Sequence, residues 1–540
     1  MAGNRNAHII AVTMLFIIFH SVIALAALCC SVTAANFQNP IIWDDLADLE
    51  VIRVNDTFYY TASTMHYSPG APVLKSYDLV NWEYVGHSVP ELSFGNKYDL
   101  TDGASGYRAG IWASSLRYRQ SDGNFYWLGC IDSSQTHVFK AHQAEGPWEK
   151  IAVIGKCYYD AGLMFDDDDN PYVAYGSTNI EVAQLSHDCT SEAKSQVVYK
   201  ADMYIEGSRM YRIKGYYYIF VTRAPDAEFV LKASNPFGPY EIRDLVDKIT
   251  SPVANTGPPH QGGIVDTLSG DWYYVGFIDA YPLGRNPVLG PITWGSDGWP
   301  TFNKVNNAWG KEYPFPSVQT DKKASLPIGT YNFGSPALHH QWEWNHNPDN
   351  TKWSLLADGG GLELQTATVT NDLYLARNTL SHRIRGPKSR GTFRVNVASL
   401  ADGDRAGVAA LRDRSAYIGV WKEGDKTRMV AVNGLTMDGN WKTLSNGTIA
   451  ASGPVLAAGD DVWLRIVADV TPAFNGGSPG SATFWYSTDG SEGSFKQLGP
   501  AFAFDNTWEF FMAYRYAVFN YATKALGGSL LVKSFTLEKM

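Results

Sequence analysis

The sequence predicts an all-β protein in which a five-bladed β-propeller, residues 36–305, precedes a β-sandwich, residues 331–540. The first observation is a repeat: five times, a polar turn opens onto a strand rich in aromatic residues, at intervals of 45 to 67 residues. The second is the alternation of apolar and polar residues without amphipathic helices, which is typical of four-stranded blades. A sandwich with chance similarity between its hairpins is the alternative, and five copies weigh against it. The central tyrosines of the copies are Tyr59, Tyr126, Tyr172, Tyr217 and Tyr273.

A second aromatic marker follows most copies of the repeat. It comes directly after a turn, as in "DLVNW" and "EGPW". We interpret each copy with its marker as one blade, so that five copies predict five blades. The markers are Trp82, Trp148, Tyr240 and Trp299.

The N-terminal residues 1–35 are predicted to be a signal peptide. Arg5 is followed by the apolar run "HIIAVTMLFIIFHSVIALAALCC" and then by small residues suited to cleavage near Ala34 or Ala35. The run is long for a signal, so an uncleaved membrane anchor is the alternative. The sequons at Asn55 and Asn446 fit a secreted glycoprotein. We therefore expect an extracellular protein with no membrane contact once the signal is removed.

The pattern changes after the fifth repeat. Residues 306–330, which are rich in Pro, Lys and Asn, are predicted to be a linker lying over a domain surface. New short strands follow from Phe333, among them "GTFRVNVASL" and "DVWLRIVADV", which indicate the sandwich. This domain is either a carbohydrate-binding module or a brace that packs on the propeller and helps to shape its site. The second interpretation is favoured, because core positions suit its tryptophans at 342, 344, 353 and 421.

Composition excludes several classes of function. The net charge of −10 comes without a basic patch, so nucleic acid is not an expected partner. The chain has no dinucleotide-binding glycine pattern, P-loop, HExxH motif or CxxC pair. Of five cysteines, Cys29 and Cys30 would leave with the signal, and the three that remain allow one disulfide and one free thiol. Strand-like positions favour pairing Cys130 with Cys157, although sequence does not fix the connectivity.

Three carboxylates occupy matching places in the repeat. Asp48, Asp160 and Glu206 precede the aromatic marker of their blades by 11 to 12 residues. Because the innermost strands of a propeller converge on one axis, these side chains are predicted to meet in one pocket. Hydrolysis of a glycosidic bond needs a proton donor and a base for water, about 6.5–9.5 Å apart in inverting enzymes. A third carboxylate beside the donor would raise the donor's pKa and orient it.

Other acidic residues fit simpler roles. Residues 166–169, four consecutive aspartates, are interpreted as a solvated turn, and a metal cage is the weaker alternative. Asp44 and Asp45 lie near Asp48 but at the wrong offset from the marker. His66 and Tyr67, in "MHYSPGAP", either line the pocket or form a loop.

The chain resembles glycoside hydrolase family 43, in "NPIIWDDLADLEVIRVNDTFYY", "YYDAGLMFDDDDNPYVAYG", "YIEGSRMYRIKGYYYIFVTR" and "HQGGIVDTLSGDWYYVGFIDAYPLGRNPVLG". The segments "WEWNHNPDNTKWSLL" and "GDRAGVAALRDRSAYIGVWK" resemble the concanavalin-like sandwich of one branch of that family, the fungal arabinofuranosidases. The resemblance implies that Asp48 is the general base, although Leu49 replaces the family's proline. It implies that Glu206 is the general acid and that Asp160 tunes it. The residues that it implies for substrate binding are Arg285, His260 and Trp112.

The resemblance implies a secreted inverting exo-glycosidase. The expected activity is α-L-arabinofuranosidase, removing arabinose from arabinoxylan, in particular from doubly substituted xylose units. β-Xylosidase is the alternative within the family, and a non-catalytic sugar-binding propeller is the alternative from another class. The fructan-cleaving class does not fit, because no stretch is similar to its "NDPNG". We expect a monomer that needs no cofactor or catalytic metal, with room for a structural calcium ion.

Overall fold

The structure is a computed structural model, and it describes residues 35–318, 320–325, 328–457 and 459–540. The predicted signal peptide lies outside the described residues apart from Ala35. The residues from Phe37 to Met540 belong to one unit. Among the described residues, no helix is long and apolar enough to cross a membrane.

Five four-stranded antiparallel sheets form the blades of the propeller. The strand β1 (Asn36–Gln38) precedes blade 1, which contains β2 (Glu50–Val54), β3 (Thr57–Thr61), β5 (Gly70–Ser76) and β6 (Trp82–Val89), with β4 (Tyr67–Ser68) between β3 and β5. Blade 2 contains β7 (Ile111–Arg119), β8 (Asn124–Ile131), β9 (Gln135–Ala141) and β10 (Glu149–Ile154). Blade 3 contains β11 (Gly162–Phe165), β12 (Pro171–Tyr175), β13 (Asn179–Leu185) and β14 (Glu192–Lys200). Blade 4 contains β15 (Glu206–Ile213), β16 (Tyr216–Arg223), β17 (Ala227–Ala233) and β18 (Glu241–Asp247). Blade 5 contains β19 (His260–Asp266), β20 (Trp272–Asp279), β21 (Arg285–Trp294) and β22 (Pro300–Phe302).

The repeat in the sequence is the blade. Each of the five repeat tyrosines lies on the second strand of its blade, and each second marker begins or directly precedes the fourth strand. The first strands are innermost and contact one another around a ring that closes between β19 and β2. The prediction of five blades is therefore confirmed, and the starts of the five inner strands meet at one end of the axis.

Two antiparallel sheets form the predicted sandwich. In spatial order one sheet is β26-β27-β39-β29-β34-β35-β36, with β24 beside β39 and β37 beside β35, and the other is β33-β32-β31-β30-β38-β28-β25-β4. These strands are β24 (Gly329–Tyr331), β25 (Trp342–Asn345), β26 (Trp353–Leu356), β27 (Gly361–Gln365), β28 (Leu380–Arg383), β29 (Lys388–Asn396), β30 (Asp404–Leu411), β31 (Arg414–Glu423), β32 (Lys426–Met437), β33 (Thr443–Leu456), β34 (Asp461–Asp469), β35 (Ser481–Ser487), β36 (Lys496–Gln497), β37 (Phe502–Ala503), β38 (Arg515–Ala522) and β39 (Ser529–Lys539). Short 3-10 helices lie at Asn96–Tyr98, Ala357–Gly359, Leu373–Leu375 and Glu492–Ser494.

The predicted linker contains more structure than its composition suggested. Within its described part, β23 (Glu312–Pro314) pairs with β1, so this segment returns to the start of the propeller. The strand β24 then joins the sandwich, where it pairs with β39. Of the tryptophans assigned to the core, Trp342 and Trp344 are buried, and Trp353 and Trp421 are partly buried.

The two domains share a sheet. The strand β4 comes from blade 1, yet it pairs with β25 of the sandwich, with Ser68 opposite Trp344 and Tyr67 opposite Asn345. His66 is fully buried beside it, with its ring centroid 4.7 Å from that of His346. His66, in a turn, and Tyr67, in β4, thus lie at the domain interface, and their lining of the pocket stays a prediction.

A buried ion cluster reinforces this interface. Glu343 of the sandwich is fully buried, and it accepts hydrogen bonds from Arg515 and from Arg383, whose Nη1 lies 2.9 Å away. These guanidinium groups hold the pKa of Glu343 well below its usual range. His87 of blade 1 lies 3.3 Å from the same carboxylate. The ion cluster itself lies within the sandwich, and its contact with His87 adds to the sheet pairing that holds the sandwich on the propeller.

The run of aspartates forms a turn, as predicted. It joins β11 to β12, and Asp166 accepts hydrogen bonds from the backbone N–H groups of Asp168 and Asn170. Asp169 pairs with Arg119 of blade 2, and Asp167 pairs with Arg212 of blade 4. Among the described residues, no group of three or more His, Cys, Asp or Glu side chains is arranged to hold a metal ion.

Cys130 and Cys157 form a disulfide, with their Cα atoms 5.0 Å apart. Cys130 lies near the end of β8, and Cys157 lies in the connection from blade 2 to blade 3, three residues before Asp160. Cys189 is buried with a free thiol, whose pKa burial raises to about 12. The structure thus contains the pairing that strand-like positions favoured.

Replacing Cys130 and Cys157 together by Ala is expected to destabilise the protein. The bridge closes a loop with a sequence separation of 27 residues, and losing such a constraint typically lowers the free energy of unfolding by about 2–4 kcal/mol. Urea titration of the two oxidised proteins measures the difference. A reductant should lower the stability of the wild type and leave the variant unchanged, and an equal effect on both proteins would contradict the expectation.

Candidate active site

The three predicted carboxylates lie at the starts of three inner strands, at the same end of the propeller. Asp48 is two residues before β2, Asp160 is two residues before β11, and Glu206 is the first residue of β15. Asp48 and Asp160 adopt the left-handed conformation, with φ values of 54° and 50°. Non-glycine residues rarely adopt it outside constrained sites, and Asp is among those that tolerate it best. Equivalent positions in different blades therefore repeat the same turn.

Asp48 is held by donors on both carboxylate oxygens. Its side chain is buried, Oδ1 accepts a hydrogen bond from Arg285 Nη1 at 2.7 Å, and Oδ2 accepts one from Ser63 Oγ at 2.8 Å. Its backbone carbonyl accepts a hydrogen bond from Arg209 at 2.8 Å. A carboxylate in this setting is fixed in orientation, which is the geometry that a general base requires.

Asp160 feels the charges of both other carboxylates. Burial raises the pKa of Asp160 well above its usual value, and the charges of Glu206 and Asp48 add to the effect. Arg209 and the backbone N–H of Gly207, which donates to Oδ2 at 3.2 Å, oppose it. Because Gly207 directly follows Glu206, this hydrogen bond ties Asp160 to the strand that begins with Glu206. Asp160 therefore binds a proton more tightly than an isolated carboxyl does.

Two tyrosines orient Glu206. The hydroxyl groups of Tyr159 and Tyr204 donate to the same oxygen, Oε2, at 2.7 and 2.9 Å. Among the described residues, no hydrogen bond is made to Oε1, and Glu206 is only half-buried. Sequence reasoning missed both tyrosines, although each lies within two residues of a predicted carboxylate in "YYDAG" and "YIEG". One oxygen of Glu206 is thus anchored while the other is free for a ligand.

Arg285 lies where the two domains meet. It is 4% exposed, and its guanidinium is 5.3 Å from the ring centroids of both Phe277 and Phe511. Its Nη2 donates to the carbonyl of Phe511 at 3.3 Å. The ring of Trp112 lies 5.2 Å from that of Phe511. Because Phe511 belongs to the sandwich, the second domain forms one wall beside the carboxylates, as the brace interpretation predicted.

His260 is fixed from behind. It begins β19, its Nδ1 lies 2.9 Å from the carbonyl of Pro258, and its ring packs on Phe277 with centroids 4.5 Å apart. Its Nε2 is 3.9 Å from Asp279. Burial raises the pKa of Asp279 above its usual value, and the charges of His260 and Arg285 only partly offset this effect. In the described contacts His260 supports the ring that flanks Arg285, and contact with substrate stays a prediction.

A cation surrounded by aromatic rings lies beside this wall. The guanidinium of Arg108 is 4.7 Å from the ring centroid of Phe511, 5.4 Å from that of Trp441 and 5.7 Å from that of Trp112. Trp508, which packs on Phe511, is 46% exposed. Sequence reasoning could not find Arg108, because its partners come from distant segments of both domains.

Comparisons with known proteins agree with this architecture. The sequence model "Glycosyl hydrolases family 43" matches residues 37–300, and "Beta xylosidase C-terminal Concanavalin A-like domain" matches residues 330–537. The chain is 31% identical to a β-xylosidase of Formosa agariphila over 418 residues, which are 65% of this chain and 68% of that protein. It is 27% identical to a non-reducing end α-L-arabinofuranosidase of Bacteroides ovatus over 82% of this chain and 84% of that one.

One solved structure is similar over its whole length. It is 48% identical, superposes with a TM-score of 0.91, and covers 94% of this chain and 100% of its own. That protein is described as a GH43 glycoside hydrolase whose engineered active site displays both endo-xylanase and exo-arabinofuranosidase activity.

Replacing Asp160 by Asn is expected to change how stability depends on pH. Because the pKa of Asp160 is raised above its usual value of 3.8, the folded protein keeps a proton that the unfolded chain releases. Each pH unit between these two pKa values therefore lowers the wild-type free energy of unfolding by about 1.4 kcal/mol, and the variant escapes this loss. The melting temperature of the variant minus that of the wild type should grow as pH rises from 4. Asp168→Asn, at an exposed position of the nearby turn, is the control, and a pH-independent difference for Asp160→Asn would contradict the expectation.

Proposed function

The chain belongs to glycosyl hydrolase family 43, and we propose that within this family it is a secreted, inverting exo-α-L-arabinofuranosidase acting on arabinoxylan. The observation on which the proposal rests is the set of three carboxylates at the starts of β2, β11 and β15, each with its own hydrogen-bond partners. A sugar-binding propeller without catalysis would need neither a donor with one free oxygen nor a base held by an arginine.

In the proposed mechanism, Asp48 removes a proton from the attacking water, and Arg285 and Ser63 keep its carboxylate in place. Glu206 donates a proton to the leaving oxygen through Oε1, while Tyr159 and Tyr204 hold Oε2. Asp160 orients Glu206 and keeps it protonated until the leaving oxygen takes the proton. Asp48 and Glu206 act on opposite sides of the sugar, so that the configuration at the anomeric carbon inverts.

The walls of the site suit a pentose. Arg285 donates to Asp48 and to the carbonyl of Phe511, and the remaining N–H groups of its planar fork suit a sugar hydroxyl. The rings of Trp112 and Phe511 offer apolar surface to the face of a sugar ring. These groups also suit xylose, so the pocket itself does not separate the two activities.

The choice of arabinose rests on similarity. The structure at 48% identity is described with exo-arabinofuranosidase activity, and the relative from Bacteroides ovatus is named for arabinofuranose at the non-reducing end. β-Xylosidase is the second candidate, because the relative from Formosa agariphila has that name and the sandwich matches a β-xylosidase domain. We keep doubly substituted xylose units of arabinoxylan as the proposed target.

Secretion and glycosylation are part of the proposal. Asn55 lies in the exposed turn between β2 and β3, and Asn446 is exposed on β33, so both sequons are accessible. A monomeric state and a structural calcium ion stay predictions.

Replacing Glu206 by Gln is expected to remove proton donation to the leaving group. General acid catalysis is worth about 10²–10⁴-fold, so hydrolysis of arabinoxylan should fall by that factor. An aryl arabinofuranoside whose phenol leaves without protonation should be affected far less, and comparing the two substrates measures the role. Glu241→Gln, at an exposed position of the same blade, is the control. An equal loss on both substrates would show that Glu206 is not the acid.

Incubation with arabinoxylan carrying singly and doubly substituted xylose is expected to release arabinose, mainly from the doubly substituted units. Proton NMR during the first minutes identifies both the sugar and its anomer, and the first anomer should have the configuration opposite to that of the substrate. Rapid cleavage of xylobiose without arabinose release would instead establish the β-xylosidase alternative. Release of the anomer that retains the configuration would contradict inversion.

A further inference from the structure

Asp45 joins the two domains at the active site without belonging to the set of three carboxylates. It is 5% exposed, and its two carboxylate oxygens accept hydrogen bonds from two different domains. Oδ1 accepts from the backbone N–H of Arg285 in the propeller at 2.8 Å. Oδ2 accepts from the backbone N–H of Ala513 in the sandwich, also at 2.8 Å. One buried side chain thus bridges the residue that contacts Asp48 and the segment that contains Phe511.

The surroundings leave this carboxylate little freedom. The backbone carbonyl of Asp45 accepts a hydrogen bond from Arg383 of the sandwich at 3.0 Å. Gly284, at a φ of 81°, lies so close that a Cβ there would be 2.4 Å from Asp45 Oδ1 and 2.9 Å from the Cβ of Ala513. Only glycine fits between the two domains at this point. The three segments are therefore packed in one fixed arrangement.

The backbone of Ala513 does not belong to a β-sheet. It lies outside the strands, two residues before β38, and two residues after Phe511, which has a φ of 63°. The hydrogen bond to Asp45 therefore helps to fix a segment whose backbone does not pair in a sheet, together with the hydrogen bond from Arg412 Nε to the carbonyl of Met512 at 2.8 Å. A displacement there would move the Phe511 carbonyl and ring away from Arg285.

We propose that Asp45 is a positioning residue that couples docking of the sandwich to the shape of the substrate pocket. It holds the backbone of Arg285 and the backbone of the Phe511 segment at a fixed separation. The guanidinium of Arg285, the ring of Phe511 and the carboxylate of Asp48 therefore keep their mutual distances. The proposal rests on the proposed function only in that the pocket binds a pentose residue. Its structural part, the control of the 509–514 segment, is independent of which sugar is bound.

Asp45→Asn tests the proposal, because an amide offers one acceptor oxygen where the carboxylate offers two. Its NH₂ group must face one of the two backbone N–H groups. Errors of about 1 Å in a pocket wall cost up to roughly 10²-fold in rate, so we expect kcat/KM to fall at least about tenfold, mainly through KM. Asp44→Asn is the matched control, since Asp44 is buried at the same interface and contacts Arg385 at 3.2 Å and Tyr84 at 3.4 Å rather than Arg285 or Ala513. The control should lower the melting temperature, because it weakens a contact between the domains. It should leave KM within about twofold, because the side chain of Asp44 contacts neither Arg285 nor the Phe511 segment.

Hydrogen exchange supplies a readout that does not depend on activity. In the wild type the amide of Ala513 should exchange slowly, and in Asp45→Asn the peptide covering residues 509–514 should exchange faster, while Asp44→Asn leaves it protected. If Asp45→Asn does not fold, Asp45→Ser and the wild-type exchange of Ala513 decide. Fast exchange of Ala513 in the wild type, or an unchanged KM in a folded Asp45 variant, would overturn the proposal. A wild type inactive on every pentoside would overturn the proposed function and leave the exchange result to judge Asp45.

Discussion

The site depends on the ion pair between the buried guanidinium of Arg285 and the carboxylate of Asp48. At 4% exposure the charge of Arg285 has almost no water to stabilise it, so protein groups must do so. Asp48 is in direct contact, and Asp45 and Asp279 are close enough to raise the arginine's pKa further. Removing one partner of such a buried pair typically costs about 3–5 kcal/mol, because the other charge is left uncompensated. Asp48, Arg285 and Asp45 therefore depend on one another.

This dependence explains why the sandwich belongs to the site. The carbonyl of Phe511 takes one N–H of Arg285, and its ring covers the guanidinium on one side. Water excluded by that ring cannot compete for the arginine, so its hydrogen bond to Asp48 is stronger than it would be at a surface. The sandwich, which the sequence presents as a separate domain, is therefore part of the environment of the Arg285–Asp48 ion pair.

The sequence was sufficient for features that recur and insufficient for features that occur once. Tyr59, Tyr126 and their equivalents appear at every blade, so their spacing predicted the propeller, and offsets from the same markers led to Asp48, Asp160 and Glu206. Asp45 was set aside because its offset is wrong, and its partners, Arg285 and Ala513, lie 240 and 468 positions away. No local pattern records contacts of that range. The strands β4, β23 and β24 were missed for the same reason, since two or three residues become a strand only when a distant edge accepts them.

The strand β4 has a consequence for the history of the protein. Because blade 1 supplies an edge strand to the sheet of the sandwich, each domain lacks part of its own surface without the other. A propeller inherited alone would present an unpaired strand and buried histidine and tyrosine rings to water, which favours aggregation. Gene rearrangements that separate the two halves are therefore expected to be lost by selection, and the pair should be transmitted as a single evolutionary unit.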